Sequence, residues 1–336
     1  MKNIRNKIGH IKKYICYNQN RTELPFYPDR LYLELTNHCN FQCIMCPNGR
    51  GLMKRERGFI DYGLCKNIID EMAPHVDTIV LHSWGESLLH PRIFDIIKYC
   101  GNYDVRTELS TNTSLLNEDI DRKIIDSGLS MIYLCIDGVT KDTYEHIRKN
   151  GNYEKSVNNV EDFIEIKRYT KSKKPFVNLQ TVIMKETNGD IENFKKKWSV
   201  EGVDKINLKP LDTWGGQISE INQLNINERN ENNGENNRPH CPNLWYHAYI
   251  YWDGSLVCCE RDFDAVYRLG NVKDGVMKVW NGPKMQELRR KHINLDIENV
   301  PSCKNCNECR WWRPTIFSSW GNIPQDKVKK EKSIKR

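Results

Sequence analysis

Nowhere does the 336-residue sequence hold an apolar run of the roughly 18 residues needed to cross a bilayer. Its first residues also lack the apolar stretch of about 7–15 residues that a secretory signal carries. The two absences lead to the expectation of a cytoplasmic protein with no stable membrane insertion. Low-complexity sequence is equally scarce, confined to the Asn- and Glu-rich residues 230–237. With aromatics at 10% and recurrent alternating apolar segments, a disordered chain is excluded. The formal net charge of +7 is concentrated at the ends, in Lys2, Arg5, Lys7, Lys12 and Lys13 and in Lys327, Lys329, Lys330, Lys332, Lys335 and Arg336. Such tails read as solvated ends, and no nucleic-acid partner is expected.

Cysteine, by contrast, is abundant: thirteen residues. A reducing compartment disfavours structural disulfides, so clustered thiols there are metal ligands or reactive groups by default. The chain is also long enough for one large α/β unit and a small second one.

Residues 1–30 read as a basic helical extension in which Ile4, Ile8, Ile11 and Ile15 recur at helical spacing. That stripe suits a helix packed under a barrel and an interfacial helix equally well. From 31 to 214 a strand-then-helix rhythm predicts six parallel strands, at 31–36, 77–82, 104–110, 130–136, 176–184 and 203–209. Helical ends are visible between them: Asn117 is placed to cap a helix over 117–127, and Gly128 to end it. Six βα units without a seventh or eighth suggest α/β architecture in the form of a partial (β/α)6 barrel, with its chemistry at the C-terminal strand ends. Residues 215–240 read as a linker, 241–313 as a small metal-stapled domain with six cysteines, and 314–336 as a basic tail.

Directly after the first predicted strand comes Cys39-Asn-Phe-Gln-Cys43-Ile-Met-Cys46. Three thiolates are one short of a closed zinc site or a fully ligated cubane. An iron left without a protein ligand can chelate the amino and carboxylate groups of a methionine moiety. The other reading of the triplet is a zinc site completed by His38 or a distant cysteine.

This C-x3-C-x2-C loop resembles that of the radical S-adenosylmethionine (SAM) superfamily, and the resemblance runs from about residue 30 to 313. It implies that Cys39, Cys43 and Cys46 hold a SAM-binding [4Fe-4S] cluster and that Met45 packs near the adenine. Trp84-Gly85-Glu86-Ser87 is similar to the family's Gly-Gly-Glu-Pro motif, with Trp84 and Ser87 as departures, so the resemblance assigns Gly85 and Glu86 to the SAM ammonium through their backbone. It further places Ser110 and Asn112 near the ribose and methionine of SAM, sets Cys135 and Asp137 at a Ser-x-Asp-Gly-like strand end, and puts Arg148 against the SAM carboxylate.

The C-terminal stretch reads Cys241, Gly254, Cys259 and then Cys303-Lys-Asn-Cys306. Spacing alone leaves zinc and iron-sulfur open. The stretch resembles the shortened, one-cluster (twitch) form of the SPASM domain, as in 2-deoxy-scyllo-inosamine dehydrogenase-like enzymes. That implies an auxiliary [4Fe-4S] cluster on Cys241, Cys259, Cys303 and Cys306, with Cys258 and Cys309 unassigned.

The function implied is a radical SAM oxidoreductase. Its 5'-deoxyadenosyl radical takes hydrogen from a substrate C-H bond, and the auxiliary cluster accepts an electron. The substrate expected is a carbohydrate or aminocyclitol alcohol, with a ribosomal peptide or protein as runner-up and a zinc-stapled, non-catalytic binding protein as the reading from another class. A flavodoxin or ferredoxin is the implied electron donor. A base or hydrogen-bond partner is needed at the strand ends, and His82, Lys209, Asp212 and Asp262 are the candidates.

Overall fold

The structure is a computed structural model that describes residues 2–226 and 238–315, with side chains from residue 9 onward. The Asn- and Glu-rich stretch at 230–237 and all but the first two residues of the basic tail lie outside the described residues.

Eleven strands are described: β1 (Arg30–Leu33), β2 (Gln42–Cys43), β3 (Thr78–Val80), β4 (Arg106–Thr111), β5 (Met131–Cys135), β6 (Arg148–Lys149), β7 (Phe176–Ile183), β8 (Lys205–Pro210), β9 (His247–Ile250), β10 (Ser255–Val257) and β11 (Gly270–Asn271). All except the β2/β6 pair form one sheet in the order β11-β10-β9-β1-β3-β4-β5-β7-β8. The six strands predicted between 31 and 209 are present, neighbouring and parallel. This is the partial-barrel architecture.

The C-terminal stretch continues this sheet. Its strand β9 pairs parallel to β1, Tyr32 opposite Tyr249, and β10 and β11 continue the sheet antiparallel. The physical reason is the open side of β1, whose unpaired N–H and C=O groups need partners once buried. The same sheet therefore carries both cysteine regions.

Residue register divides the sheet into two unlike faces. Leu31, Leu33, Ile79, Leu109, Ile132, Leu134, Val177 and Leu179 are fully buried on one face. Against it pack α2 (Tyr62–Met72), α3 (Ile93–Cys100), α4 (Glu118–Asp126) and α6 (Tyr153–Tyr169), which bury Ile68, Ile96, Ile124 and Phe163. Each such side chain contributes about 1.5–3 kcal/mol. The opposite, inner face carries Arg30, Tyr32, Glu108, Ser110, Tyr133, Cys135, Gln180, Asn207 and Lys209 in matching register. It is mostly polar, with Val80, Met131 and Val182 interspersed.

Helix ends follow the side-chain chemistry expected of them. Asn117 accepts from Ile120 N at 3.1 Å, and Gly128 takes φ +81 just past the end of α4. In α1 (Lys2–Asn18) the isoleucine stripe is not the packed face where it is described: Ile11 and Ile15 are exposed, whereas Lys13, Cys16 and Tyr17 are buried. Lys13 is drawn in by an ion pair with Asp29, and the Tyr17 hydroxyl donates to His240 O at 2.9 Å. These contacts turn the helix away from its hydrophobic stripe. His10 lies between Asp29 and Asp77, with Nδ1 3.4 Å from one and Nε2 3.5 Å from the other. One nitrogen on each carboxylate suits a linkage of three segments rather than chelation of one ion.

Candidate active site

The C-terminal ends of the central strands carry the first cysteine site. Its loop is fastened by backbone: β2 pairs with β6, so that Cys43 lies opposite Arg148, and Ile44 N donates to Ile147 O at 3.0 Å. Gly49 closes the loop where a Cβ would come within 2.7 Å of Cys43 O. Asn48 adds a bond to Asn37 O at 2.9 Å. Burial pushes the Cys43 thiol up to about 12, with Cys46 and Cys39 adding to it and Arg148 opposing. Burial likewise brings Cys39 to about 11. The three thiols thus hold their protons in the metal-free protein, with Arg148 favouring the thiolate form that a metal would bind.

The other SAM-site residues surround this loop. Gly85 has φ +83, and a Cβ there would stand 2.6 Å from Thr36 O, which explains why glycine is needed at this point of the Trp-Gly-Glu-Ser motif. Glu86 N donates to His38 O at 2.8 Å; its carboxylate accepts from Leu88 N at 3.1 Å and from Asn112 N at 2.7 Å. Glu86 therefore ties the end of β4 to the cysteine loop, and Asn112 Nδ2 completes the tie by donating to Asn40 Oδ1 at 2.9 Å. Ser110 Oγ lies 3.2 Å from Cys135 Sγ, and Gln180 Nε2 donates to the same sulfur at 3.3 Å. Arg148 donates Nε to Asp137 Oδ2 at 2.8 Å, and both are buried. Met45 is buried, and its carbonyl accepts from Trp214 Nε1 at 2.8 Å. Ring contact continues from Trp214 to Trp84 at 4.7 Å.

The four residues named as candidate acids and bases separate into two groups. His82 stays on the barrel side; burial, then Lys209 and Arg30, push it down to about 3, and its Nδ1 has no hydrogen-bond partner among the described residues. Lys209 is close enough to Cys46, Cys135, His82 and Asp212 to influence all four. Asp212 and Asp262, by contrast, are engaged in local structure. Asp212 Oδ2 accepts from Arg261 at 2.6 Å, and burial outweighs that cation in bringing its carboxyl to about 6. Asp262 accepts from Val266 N and Tyr267 N, both at 2.9 Å.

Six thiols gather in the C-terminal site: Cys241, Cys258, Cys259, Cys303, Cys306 and Cys309. Cys241 is pushed up to about 12 by burial, then by Cys309 and Cys259. Cys258 contacts the Cys259 and Cys303 thiols and lies 3.4 Å from Ser302 Oγ. Cys306 Sγ donates to Glu308 Oε2 at 3.0 Å. Among the described residues no three cysteine sulfurs come within 4.8 Å of one another. Zinc held by thiolates at ~2.3 Å in a tetrahedron brings its sulfurs to about 3.8 Å apart. Soft thiolates are the donors that hold iron-sulfur clusters, and this donor set fits iron and sulfide.

Residues absent from the sequence reading also appear here. Arg261 and Glu308 are buried beside the ligands, and Trp214 and Gln180 beside the SAM site. Arg261 lies two positions after Cys259, and Glu308 sits between Cys306 and Cys309. A charge that close to a metal-binding thiol was the available signal.

Fold and thiols together define an enzyme class in which a three-cysteine cluster on a partial barrel works with a C-terminal iron-sulfur region. Family models agree: residues 33–197 match the Radical SAM superfamily, and residues 241–307 match the SPASM iron-sulfur cluster-binding domain. The chain belongs to the radical SAM superfamily, in its SPASM-containing group, and uses SAM and iron-sulfur clusters. It is 24% identical to the tungsten-containing aldehyde ferredoxin oxidoreductase cofactor-modifying protein of Pyrococcus furiosus, over 88% of this chain and 92% of that one. Among solved structures it is similar to BtrN in complex with AdoMet and 2-DOIA (TM-score 0.56, 18% identity, covering 84% of this chain and 94% of BtrN). It is also similar to SuiB of Streptococcus suis bound to its precursor peptide SuiA (TM-score 0.64, 14% identity, 92% and 80%).

Proposed function

We propose that this chain is an oxidoreductase acting on a small hydroxyl-rich substrate, a carbohydrate or aminocyclitol alcohol, from which hydrogen is taken at a C-H bond. The polar inner face of the sheet carries this reading. Tyr32, Ser110, Gln180, Asn207 and Lys209 share that face below the cysteine loop. Hydroxyl groups can join the network that Ser110, Cys135, Gln180 and Asn207 form there, whereas an apolar substrate would cover that network without adding a partner.

When bound, the SAM cluster supplies a carbon radical able to break an unactivated C-H bond, and the auxiliary cluster takes up an electron. Cys39, Cys43 and Cys46 hold the first cluster and leave one iron open. Cys241, Cys259, Cys303 and Cys306 hold the second. Gly85, Glu86 and Asn112 shape the amino-acid end of the SAM site, with Arg148 oriented by Asp137; Met45 closes its adenine side. His82, uncharged at neutral pH and with Nδ1 unengaged, accepts a hydrogen bond from a substrate hydroxyl. Lys209 holds an electronegative substituent beside Cys46 and Asp212. A small flavoprotein or ferredoxin delivers the priming electron.

The test is anaerobic reconstitution with iron, sulfide, reductant and SAM, followed by a panel of sugars and cyclitols deuterated at carbinol carbons. Deuterium appearing in 5'-deoxyadenosine with a ketone product supports the reading. A peptide is the second reading, because β8 is the last strand of the sheet and is half-exposed, which offers an extended chain a pairing edge. Label transfer from peptides and from none of the alcohols would replace the first reading with the second.

A further inference from the structure

Arg261 is 5% exposed and stands among the auxiliary-site thiols. Its Nη2 donates to Asp212 Oδ2 at 2.6 Å. Its Nε is buried and has no hydrogen-bond partner among the described residues, with Glu308 Oε2 at 3.8 Å. A buried N–H with nothing to donate to is costly, so the position calls for an acceptor. After Asp212, the groups that act most strongly on this guanidinium are the sulfurs of Cys306 and Cys259.

Glu308 supplies the second half of the case. In the metal-free protein it accepts the Cys306 thiol proton at 3.0 Å and the Thr213 N–H at 3.1 Å. Once Cys306 binds iron as thiolate, that donor is lost and a carboxylate faces an anionic sulfur. A cation must stand beside both, and Arg261 is placed there. The surroundings then hold the carboxylates of Asp212, Glu308 and Glu260, with Arg261 the guanidinium among the sulfurs and Arg238 and Arg313 engaged on the backbone carbonyls of Cys303 and Cys309. Uptake of an electron adds a further negative charge with no bond made or broken. Charge and N–H donation to the sulfurs are what set the potential of such a cluster.

We infer that Arg261 sets the reduction potential of the auxiliary cluster, offering its unpaired Nε–H to the cluster's sulfurs and raising the potential, while Glu308 lowers it. Arg261 is thus a positioning residue for electron acceptance, and because Asp212 follows β8, the same guanidinium joins the auxiliary site to the barrel. The inference concerns the cluster alone and stands whichever substrate is turned over.

The experiment is a redox titration of the full-chain holoenzyme, followed by electron paramagnetic resonance. The SAM-binding cluster is recognised because its signal changes on adding SAM, which leaves the auxiliary signal for measurement. Arg261→Met is expected to shift the auxiliary reduction equilibrium at least tenfold toward the oxidised state, ~59 mV for one electron, with Arg261→Lys falling between. Glu308→Gln, isosteric and one charge less negative, is expected to shift it tenfold the other way. Should Arg261→Met fail to load, Glu308→Gln decides alone. A Glu308→Gln potential unchanged within twofold, or lowered, overturns the inference; so does an Arg261→Met potential that stays put or rises.

Discussion

Three thiols of the first site come from eight consecutive residues, and backbone holds them: the β2/β6 ladder, the positive-φ turn at Gly85 and the tight passage at Gly49. Six thiols of the second site come from 241 to 309, and buried charge holds their surroundings: Asp212, Arg261 and Glu308, none more than 6% exposed. The difference follows from loop length. A short loop has little entropy to lose and can be set by turns, whereas segments far apart in sequence must be tied by contacts made only after folding. The two sites are thus fixed by different means, the first by local backbone geometry and the second by buried charge brought together from distant segments.

The largest expected effect separates the two sites outright. Cys43→Ala should abolish 5'-deoxyadenosine formation while about half the iron, that of the fully ligated auxiliary cube, remains; iron analysis beside chromatography of the nucleoside checks this. Loss of all iron would mean that the two sites are not independently built.

Next in size is Arg148→Met, which leaves the Asp137 carboxylate buried without its cation just past β5, held by Val182 N at 2.7 Å on its other oxygen. About 3–5 kcal/mol of stability should be lost, read from denaturant unfolding of the apo protein. Gly85→Ala should follow at about 1–3 kcal/mol, since alanine must adopt φ +83 against the carbonyls of Thr36 and His38. Its damage should fall on SAM binding, with the auxiliary signal unchanged, which keeps it distinct from any substitution at the charged site.

The smallest effect serves as a control outside both sites. Asp121 in α4 is buried, and neither carboxylate oxygen has a hydrogen-bond partner among the described residues. Burial, with Asp162 adding to it, raises its pKa to about 7. The folded protein therefore keeps this proton where the unfolded chain, with a carboxyl near its usual ~4, has lost it. That stabilising difference is whole below about pH 4 and disappears as pH rises to 7. Asp121→Asn should gain about 1–2 kcal/mol at pH 8 and nothing at pH 4. Melting temperature against pH measures this, and unchanged iron at both sites confirms the separation.

Much of the barrel was legible because its signals are local. Short spans rich in Val, Ile, Leu, Tyr or Thr at 130–136 and 176–184 mark strands, Asn117 and Gly128 mark a helix's ends, and a thiol triplet eight residues long carries its own ligand spacing. The isoleucines of α1 show where this fails, since Ile11 and Ile15 lost their place to a lysine drawn inward by Asp29. A side chain's partner across the fold outweighed the stripe's periodicity.

What the sequence by itself determined was the number and spacing of the thiols, the order of βα units and the glycine at 85, all properties of short segments read through covalent geometry. Only the tertiary structure decided that β9 would complete the open edge of β1, that polar residues of five parallel strands would share one inner face, and that Arg261 would stand between Asp212 and Glu308. Those outcomes depend on residues tens to hundreds of positions apart, and their energies exist only once burial has removed the water that would otherwise satisfy each group separately.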